Sequence, residues 1–158
     1  MLEIAVITIS DRAFRGEYRD ISGPTIVEIL SDAFPDSNVT LTIVSDDKIQ
    51  IRKAIQDNLG KDYVITNGGT GISPRDYTPE VTREICEIEL PGISEMLRRE
   101  SYKETPNSVF SRGIAGIRNE TIIINFPGSV KAASFCANLI VPILEHGKKM
   151  LLGGGHEK

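Results

Sequence analysis

The sequence predicts an α/β protein, a three-layer sandwich of helices around a mostly parallel central sheet. Three observations predict it. Short β-branched runs alternate with helical patterns along the whole chain. The first run, LEIAVITIS (2–10), is apolar almost throughout, as a strand covered on both faces has to be. Polar segments carrying glycine follow the strands, and in open parallel sheets the ligand sits beyond the carboxyl ends of the strands. With 158 residues, one domain is expected, taken as 1–150, followed by a mobile tail over 151–158. A chain of this size buries roughly 70% of its unfolded surface, so its core needs no disulfide or metal.

After the first strand comes a polar loop, Ser10 to Ser22. Ser22-Gly23-Pro24 then opens a helix, with Ser22 or Gly23 as cap and Pro24 in the first turn. Ile26, Ile29, Leu30, Ala33 and Phe34 keep helical spacing until Pro35 and Asp36 stop it. VTLTIVS (39–45) is the second strand. Asp47 caps a helix whose inner face is Ile51, Ala54, Ile55 and Leu59, closed by Gly60. DYVIT (62–66) is the third strand and runs directly into TNGGTGISPRDYTPE (66–80). Thr78 caps the next short helix, with Pro79 at its first position. A further helix over about 92–103 turns Ile93, Met96 and Leu97 inward. A turn at Arg118-Asn119-Glu120 precedes a strong strand, Thr121 to Phe126. The last helix starts near Ser129 and presents Ala133, Ala137, Ile140 and Leu144, with Pro142 inside it costing the bond to Asn138 or kinking the axis.

Composition narrows the function. The 18 basic and 22 acidic residues give a net charge of −4, with no electrostatic footprint for nucleic acid. Cys86 and Cys136 stand apart with no CxxC, which reads as two reduced, partly buried thiols. The only histidines are His146 and His156, and neither HExxH nor GxSxG occurs. MLEIAVITIS lacks a basic n-region and reads as a strand rather than a signal peptide. No apolar run approaches membrane-spanning length, so no membrane partner and a cytoplasmic location are expected.

In a parallel sheet, Ser10–Gly23, Thr66–Glu80, Phe126–Ser129 and the Asp46-Asp47 pair all reach one edge. Gly68, Gly69 and Gly71 admit positive φ and close approach of anionic oxygens to backbone N–H groups, and Thr70 adds a hydroxyl. This is a phosphate-cradle composition, neither Walker A nor GxGxxG; its plainer reading is a tight strand-to-helix turn. Arg75 suits a phosphate clamp or an ion pair. Asp76 suits Mg²⁺ or the amidine-like edge of a ring; the plain reading of the pair is a surface salt bridge. Glu80 also fits simply as an acid in a first helical turn, Asp46 and Asp47 as caps, and Ser10-Asp11-Arg12 as a polar turn. Phe126-Pro127-Gly128-Ser129 offers free N–H groups to an anion, or forms an ordinary junction capped by serine. Lys131 opposes the macrodipole of its helix, which favours a phosphate-neutralising role.

Over nearly its whole length the chain closely resembles the molybdopterin adenylyltransferase family, which includes the G domains of gephyrin and of plant cofactor-synthesis proteins. The residues that carry it are SDRAFRGEYRDISGP (10–24), TNGGTGISPRDYTPE (66–80) and LPGISEMLRRESYKETPNSVFSRGIAGIRNETIIINFPGS (90–129). GGTG followed by PRD and TPE is specific, and SRxxAGIR with NxPG at this spacing adds to it. One departure is Val130 after Pro127-Gly128-Ser129, where the family commonly has PGNP or PGSP.

The resemblance implies a molybdopterin-binding-like α/β domain that trimerises in the cytoplasm. It implies transfer of AMP from Mg²⁺-ATP to the terminal phosphate of molybdopterin, releasing pyrophosphate, and hand-over of the product to a molybdenum-inserting protein. On this reading Asp76 is the essential carboxylate, as Mg²⁺ ligand or pterin anchor, and Asp46 is second. Gly68 to Gly71 with Arg75 or Lys131 meet the phosphates, and Glu80, Ser10, Asp11, Ser111, Arg112 and Pro127–Ser129 line the site. The alternative is a non-catalytic molybdopterin-binding or scaffold protein of the same fold. A dinucleotide-hydrolysing enzyme of the competence-damage type is disfavoured by the short chain and the SRGIAGIR segment.

Overall fold

β1 (Glu3–Ile9) lies second from one edge of a six-stranded sheet in the computed structural model, which describes residues 1–154. The strand order is β2-β1-β3-β6-β5-β4, with β2 spanning Asn38–Val44, β3 Tyr63–Asn67, β4 Ile88–Glu89, β5 Ala115–Arg118 and β6 Thr121–Phe126. β2, β1, β3 and β6 are mutually parallel; β5 and β4 run antiparallel at one edge.

Strand alternation sorts the core into two layers. Ile4, Val6, Tyr63, Ile65, Ile122, Ile124 and Phe126 face α2 (Ser22–Ala33), α5 (Pro91–Glu104) and α6 (Val130–Leu151). Ala5, Ile7, Ile9, Val64 and Ile123 face α3 (Lys48–Asp57) and α4 (Thr78–Ile85). Six of the seven β1 residues are buried, which is why the run reads as continuously apolar. Each fully buried isoleucine or leucine contributes about 1.5–3 kcal/mol. All four inner residues expected of the last helix, Ala133, Ala137, Ile140 and Leu144, are fully buried.

Several local expectations are corrected. A one-turn helix, α1 (Asp11–Phe14), interrupts the first loop, with the Ser10 hydroxyl accepting from the Ala13 amide. α2 contains Ser22 and Gly23 rather than being capped by them; Asp20 Oδ1 accepts from the Gly23 amide. α3 keeps its Asp47 cap but ends at Asn58, so Gly60 stands beyond it. Thr78 lies inside α4, because its hydroxyl donates to the Gly68 carbonyl. β5, β4 and the 3-10 turn Pro106–Phe110 carry no periodic signal long enough to read. The β5–β6 turn is as expected, with Asn119 at φ 53°, a conformation asparagine tolerates. α6 runs through Pro142 as one helix and closes at Leu151; of the expected mobile tail, residues 155–158 lie outside the described residues.

Candidate active site

The four parallel strands end in register: Ile9 is opposite Val44, Thr8 opposite Asn67, and Asn67 opposite Phe126. The loops after all four therefore leave one edge of the sheet, as expected. Asp11 and Asp46 clasp each other through main chain and side chain. The Asp11 amide donates to Asp46 Oδ2 at 2.8 Å, and the Asp46 amide donates to Asp11 Oδ1 at 3.0 Å. Arg75 closes over Asp11 as a fork, Nε to Oδ2 at 2.8 Å and Nη2 to Oδ1 at 3.1 Å. The arginine thus pairs across the rim and not with its neighbour Asp76.

These placements set the charges. The hydrogen bond from Arg75 holds Asp11 below the ordinary carboxylate range. Asp46 is pushed the other way, first by burial and then by the charges of Asp11 and Asp76. Among the described residues neither Asp46 nor Asp76 has a cation within ion-pair distance. Asp76 Oδ2 accepts from the Ser73 amide at 2.9 Å and lies where a side chain on Gly71 would stand. Lys48, a cation the sequence did not mark, stands 4.8 Å from the Tyr77 ring centre.

The glycine loop is fixed by close approach. Gly68 has φ +100°, and a Cβ there would meet the Ile9 carbonyl at 2.3 Å. Its amide is not free; it donates to the Phe126 carbonyl at 3.1 Å. Gly128 packs against it, with its missing Cβ 3.1 Å from Gly68 Cα. The carbonyls of Gly68 and Gly69 accept from the Thr78 hydroxyl and amide. Those of Thr70, Gly71 and Asp76 accept from Arg112 through its amide, Nε and Nη2, while its Nη1 pairs with Glu80 Oε1. The amides of Gly69, Thr70, Gly71 and Ile72 donate to no group among the described residues. Glu80 Oε2 is buried and accepts from nothing described.

Ser10, Asp11, Asp46, Gly68–Gly71, Arg75, Asp76 and Gly128 are therefore brought together. Ser129 caps α6 by accepting from the Ala132 amide, and Lys131 is exposed in that helix's first turn. Ser111 and Pro127 stand to one side, lining a cavity of about 20 Å³ with Arg98, Asn125 and Cys136. Glu80 and Arg112 lie behind the loop.

Sequence reasoning missed a second acidic group at the same rim. Asp20 is buried; its Oδ2 accepts from the Thr8 hydroxyl at 2.7 Å, and Oδ1 accepts from the Gly23 amide with the Ser22 hydroxyl 3.1 Å away. The Asn67 side chain joins them, 2.7 Å from Ser22 Oγ and 3.0 Å from Thr8 Oγ1. These residues floor a recess of about 130 Å³ that reaches Ser10, Tyr18 and Gly128. The available signal was polarity at strand ends: Thr8 and Asn67 interrupt two otherwise apolar runs.

The described residues contain no group of three or more histidine, cysteine, aspartate or glutamate side chains placed to hold a metal. None of the described helices is long and apolar enough to cross a membrane.

Comparison with known proteins adds the remaining findings. The family described as "Probable molybdopterin binding domain" matches residues 5–146. The chain is 38% identical over 156 residues to a molybdopterin adenylyltransferase of Helicobacter pylori, covering 96% of this chain and 89% of that one. It is 34% identical over 136 residues to the molybdopterin adenylyltransferase of Haemophilus influenzae, covering 84% of this chain and 69% of that one. Among solved structures it is similar to the molybdopterin biosynthesis enzyme MoaB of Thermus thermophilus, with TM-score 0.87 and 38% identity. That match covers 97% of this chain and 98% of that one.

Proposed function

We infer the reaction from one premise: the chain belongs to the molybdopterin-binding domain family, whose members similar to it include molybdopterin adenylyltransferases. It is a nucleotidyltransferase of molybdenum cofactor biosynthesis. It moves AMP from ATP to the terminal phosphate of molybdopterin and releases pyrophosphate. The observation that carries this is the rim itself, where amides at Gly69, Thr70 and Gly71 that are unengaged among the described residues stand beside Asp46 and Asp76, carboxylates with no described cation in ion-pair distance.

The nucleophile is a phosphate oxygen, already ionised at neutral pH. It attacks the α-phosphorus of ATP, a P–O bond forms, and the bond to the pyrophosphate oxygen breaks. No general base is required, which suits a rim whose loops hold no histidine. Catalysis then rests on in-line positioning and on neutralising charge. The amides of Gly69 to Gly71 donate to phosphate oxygens, and Arg75 and Lys131 supply cations, Arg75 after leaving Asp11. Ser10, Asp11, Gly128 and Ser129 line the approach, with Ser111 and Pro127 set to one side of it.

The residues fit Mg²⁺ brought in with the nucleotide rather than a resident metal. Mg²⁺ is commonly held by one or two carboxylates plus substrate phosphates, so the lack of an all-protein cage among the described residues is compatible with it. Asp76 would hold it, with Asp46 second; burial and then the charges of Asp11 and Asp76 raise Asp46, and a cation would relieve that repulsion. When bound, the ion neutralises phosphate charge and orients the leaving group.

A homotrimer, cytoplasmic location and hand-over to a metal-inserting protein complete the proposal. The test is incubation of the protein with ATP, Mg²⁺ and molybdopterin. Mass spectrometry should find the adenylylated pterin, with an equal yield of pyrophosphate. Binding of both substrates with no pyrophosphate released would leave the non-catalytic reading instead.

A further inference from the structure

Arg112 resembles a phosphate ligand in sequence, being an arginine in a loop near the rim, yet its bonding points elsewhere. Its three guanidinium nitrogens are all engaged: Nε with the Gly71 carbonyl at 2.8 Å, Nη2 with the Asp76 carbonyl at 2.9 Å, and Nη1 with Glu80. Its own amide holds the Thr70 carbonyl at 2.8 Å. One residue thus gathers three carbonyls of a seven-residue stretch that has no helix or strand of its own over 70–76.

A trans peptide points its carbonyl and the following N–H in opposite directions, and the described residues contain no cis bond. Holding the carbonyls of Thr70 and Gly71 toward Arg112 therefore aims the amides of Gly71 and Ile72 away from it. Thr78 does the same one step earlier. It takes the carbonyls of Gly68 and Gly69, so the amides of Gly69 and Thr70 face away as well. These four successive amides have no partner among the described residues. The cradle is thus made by what grips its back.

We propose that Arg112, seated by Glu80, is a positioning residue that orients the amides of Gly71 and Ile72 toward the substrate phosphates without touching them. This deepens the adenylyl-transfer reading and, for its kinetic arm, rests on it. Arginine is required because a planar fork reaches carbonyls set apart from one another, whereas an ammonium is a single point. Charge alone does not serve.

The experiment compares Arg112→Lys, Arg112→Gln and Glu80→Gln with the parent protein. Both Arg112 variants should lose kcat by about tenfold or more, as when one preorganised donor is misplaced, while the Kd for ATP changes by less than about threefold. Arg112→Lys should do no better than Arg112→Gln. Adding Glu80→Gln to Arg112→Gln should cost little further, because the two act as a unit. In ¹H–¹⁵N spectra of the protein alone, the Gly71 and Ile72 signals should move in both Arg112 variants while signals from β1 and β6 stay in place. A lysine variant with full activity, or a glutamine variant whose ATP affinity falls tenfold and is restored by lysine, would make Arg112 a direct phosphate ligand and overturn the proposal. Should the parent protein itself release no pyrophosphate, the adenylyl-transfer reading fails. The spectra then decide alone: unmoved Gly71 and Ile72 signals overturn the proposal. Glu80→Gln repeats the spectral test if an Arg112 variant does not fold.

Discussion

Two carboxylates at the same rim are treated in opposite ways. Asp20 is buried and receives hydrogen bonds from the Thr8 hydroxyl and the Gly23 amide, with Ser22 beside it. Asp46 is half-buried, receives one from the Asp11 amide, and faces the negative charges of Asp11 and Asp76. A buried carboxylate is tolerable when the fold itself supplies donors. A carboxylate raised by burial and by like charges is a cost the fold leaves uncompensated until something cationic arrives. On the proposed reading, the difference separates a residue that finishes the fold from one that would meet a ligand, although both are acids at the same edge of the sheet.

The largest expected effect tests the second class. Asp76→Asn should fold normally and slow adenylyl transfer on the order of a hundredfold, the loss of one key electrostatic partner. Steady-state pyrophosphate release measures it, with a melting curve as control. A wild-type rate would remove Asp76 from the unfinished group and break the comparison.

Asp20→Ala tests the first class and should act on stability. It strands the Thr8 hydroxyl and the Gly23 amide in a buried place, while the Ser22 hydroxyl keeps Asn67 Oδ1, and should cost about 2–3 kcal/mol. Urea denaturation reads this as a lowered midpoint at unchanged slope. If stability is unaffected while activity is lost, Asp20 belongs with Asp46 and Asp76, and its recess is a ligand subsite.

What could be read beforehand divides along a similar line. β1, β3 and β6 announce themselves because nearly all their residues are buried between apolar layers, β2 by its alternating VTLTIV, and the common edge follows from their being parallel. Asp47 caps α3 as its sequence suggests, since that bond spans three residues. Thr78 does not cap α4, because a carbonyl ten positions earlier takes its hydroxyl. Arg75 passes over Asp76 for Asp11, 64 positions away. Arg112 reaches back 41 positions to Gly71. Local pattern reports periodicity and short-range caps; it carries no record of which distant carbonyl or carboxylate a long side chain will find. The family resemblance pointed to loops that leave one edge of the sheet, but gave Arg112 and Gly68 only their neighbourhood, not their bonds.

A smaller effect sharpens the contrast at Asp11. The Arg75 side chain is 57% exposed, so solvent screens the bidentate pair and it should contribute little. Arg75 lowers Asp11, so its contribution is present at neutral pH. It fades as pH falls below the ordinary carboxylate value of 3.8 toward the lower folded one. Arg75→Gln should therefore be slightly less stable than the parent at pH 7 and equal to it in strong acid. A deficit that persists in acid would mean the side chain stabilises by packing rather than by charge.

The smallest effect concerns titratable groups away from the rim. Burial pushes both Cys86 and Cys136 up to about 11, so at pH 8 only about one thiol in a thousand is ionised. Alkylation by iodoacetamide followed by intact-mass measurement should leave the folded protein almost unmodified at pH 8, with the rate rising about tenfold per pH unit above it. Unfolding in urea should expose both thiols to rapid modification. Fast labelling of Cys86 in the folded protein at neutral pH would place a third, unfinished group outside the rim. The contrast drawn between Asp20 and Asp46 would then not be particular to the edge where β1, β2, β3 and β6 end.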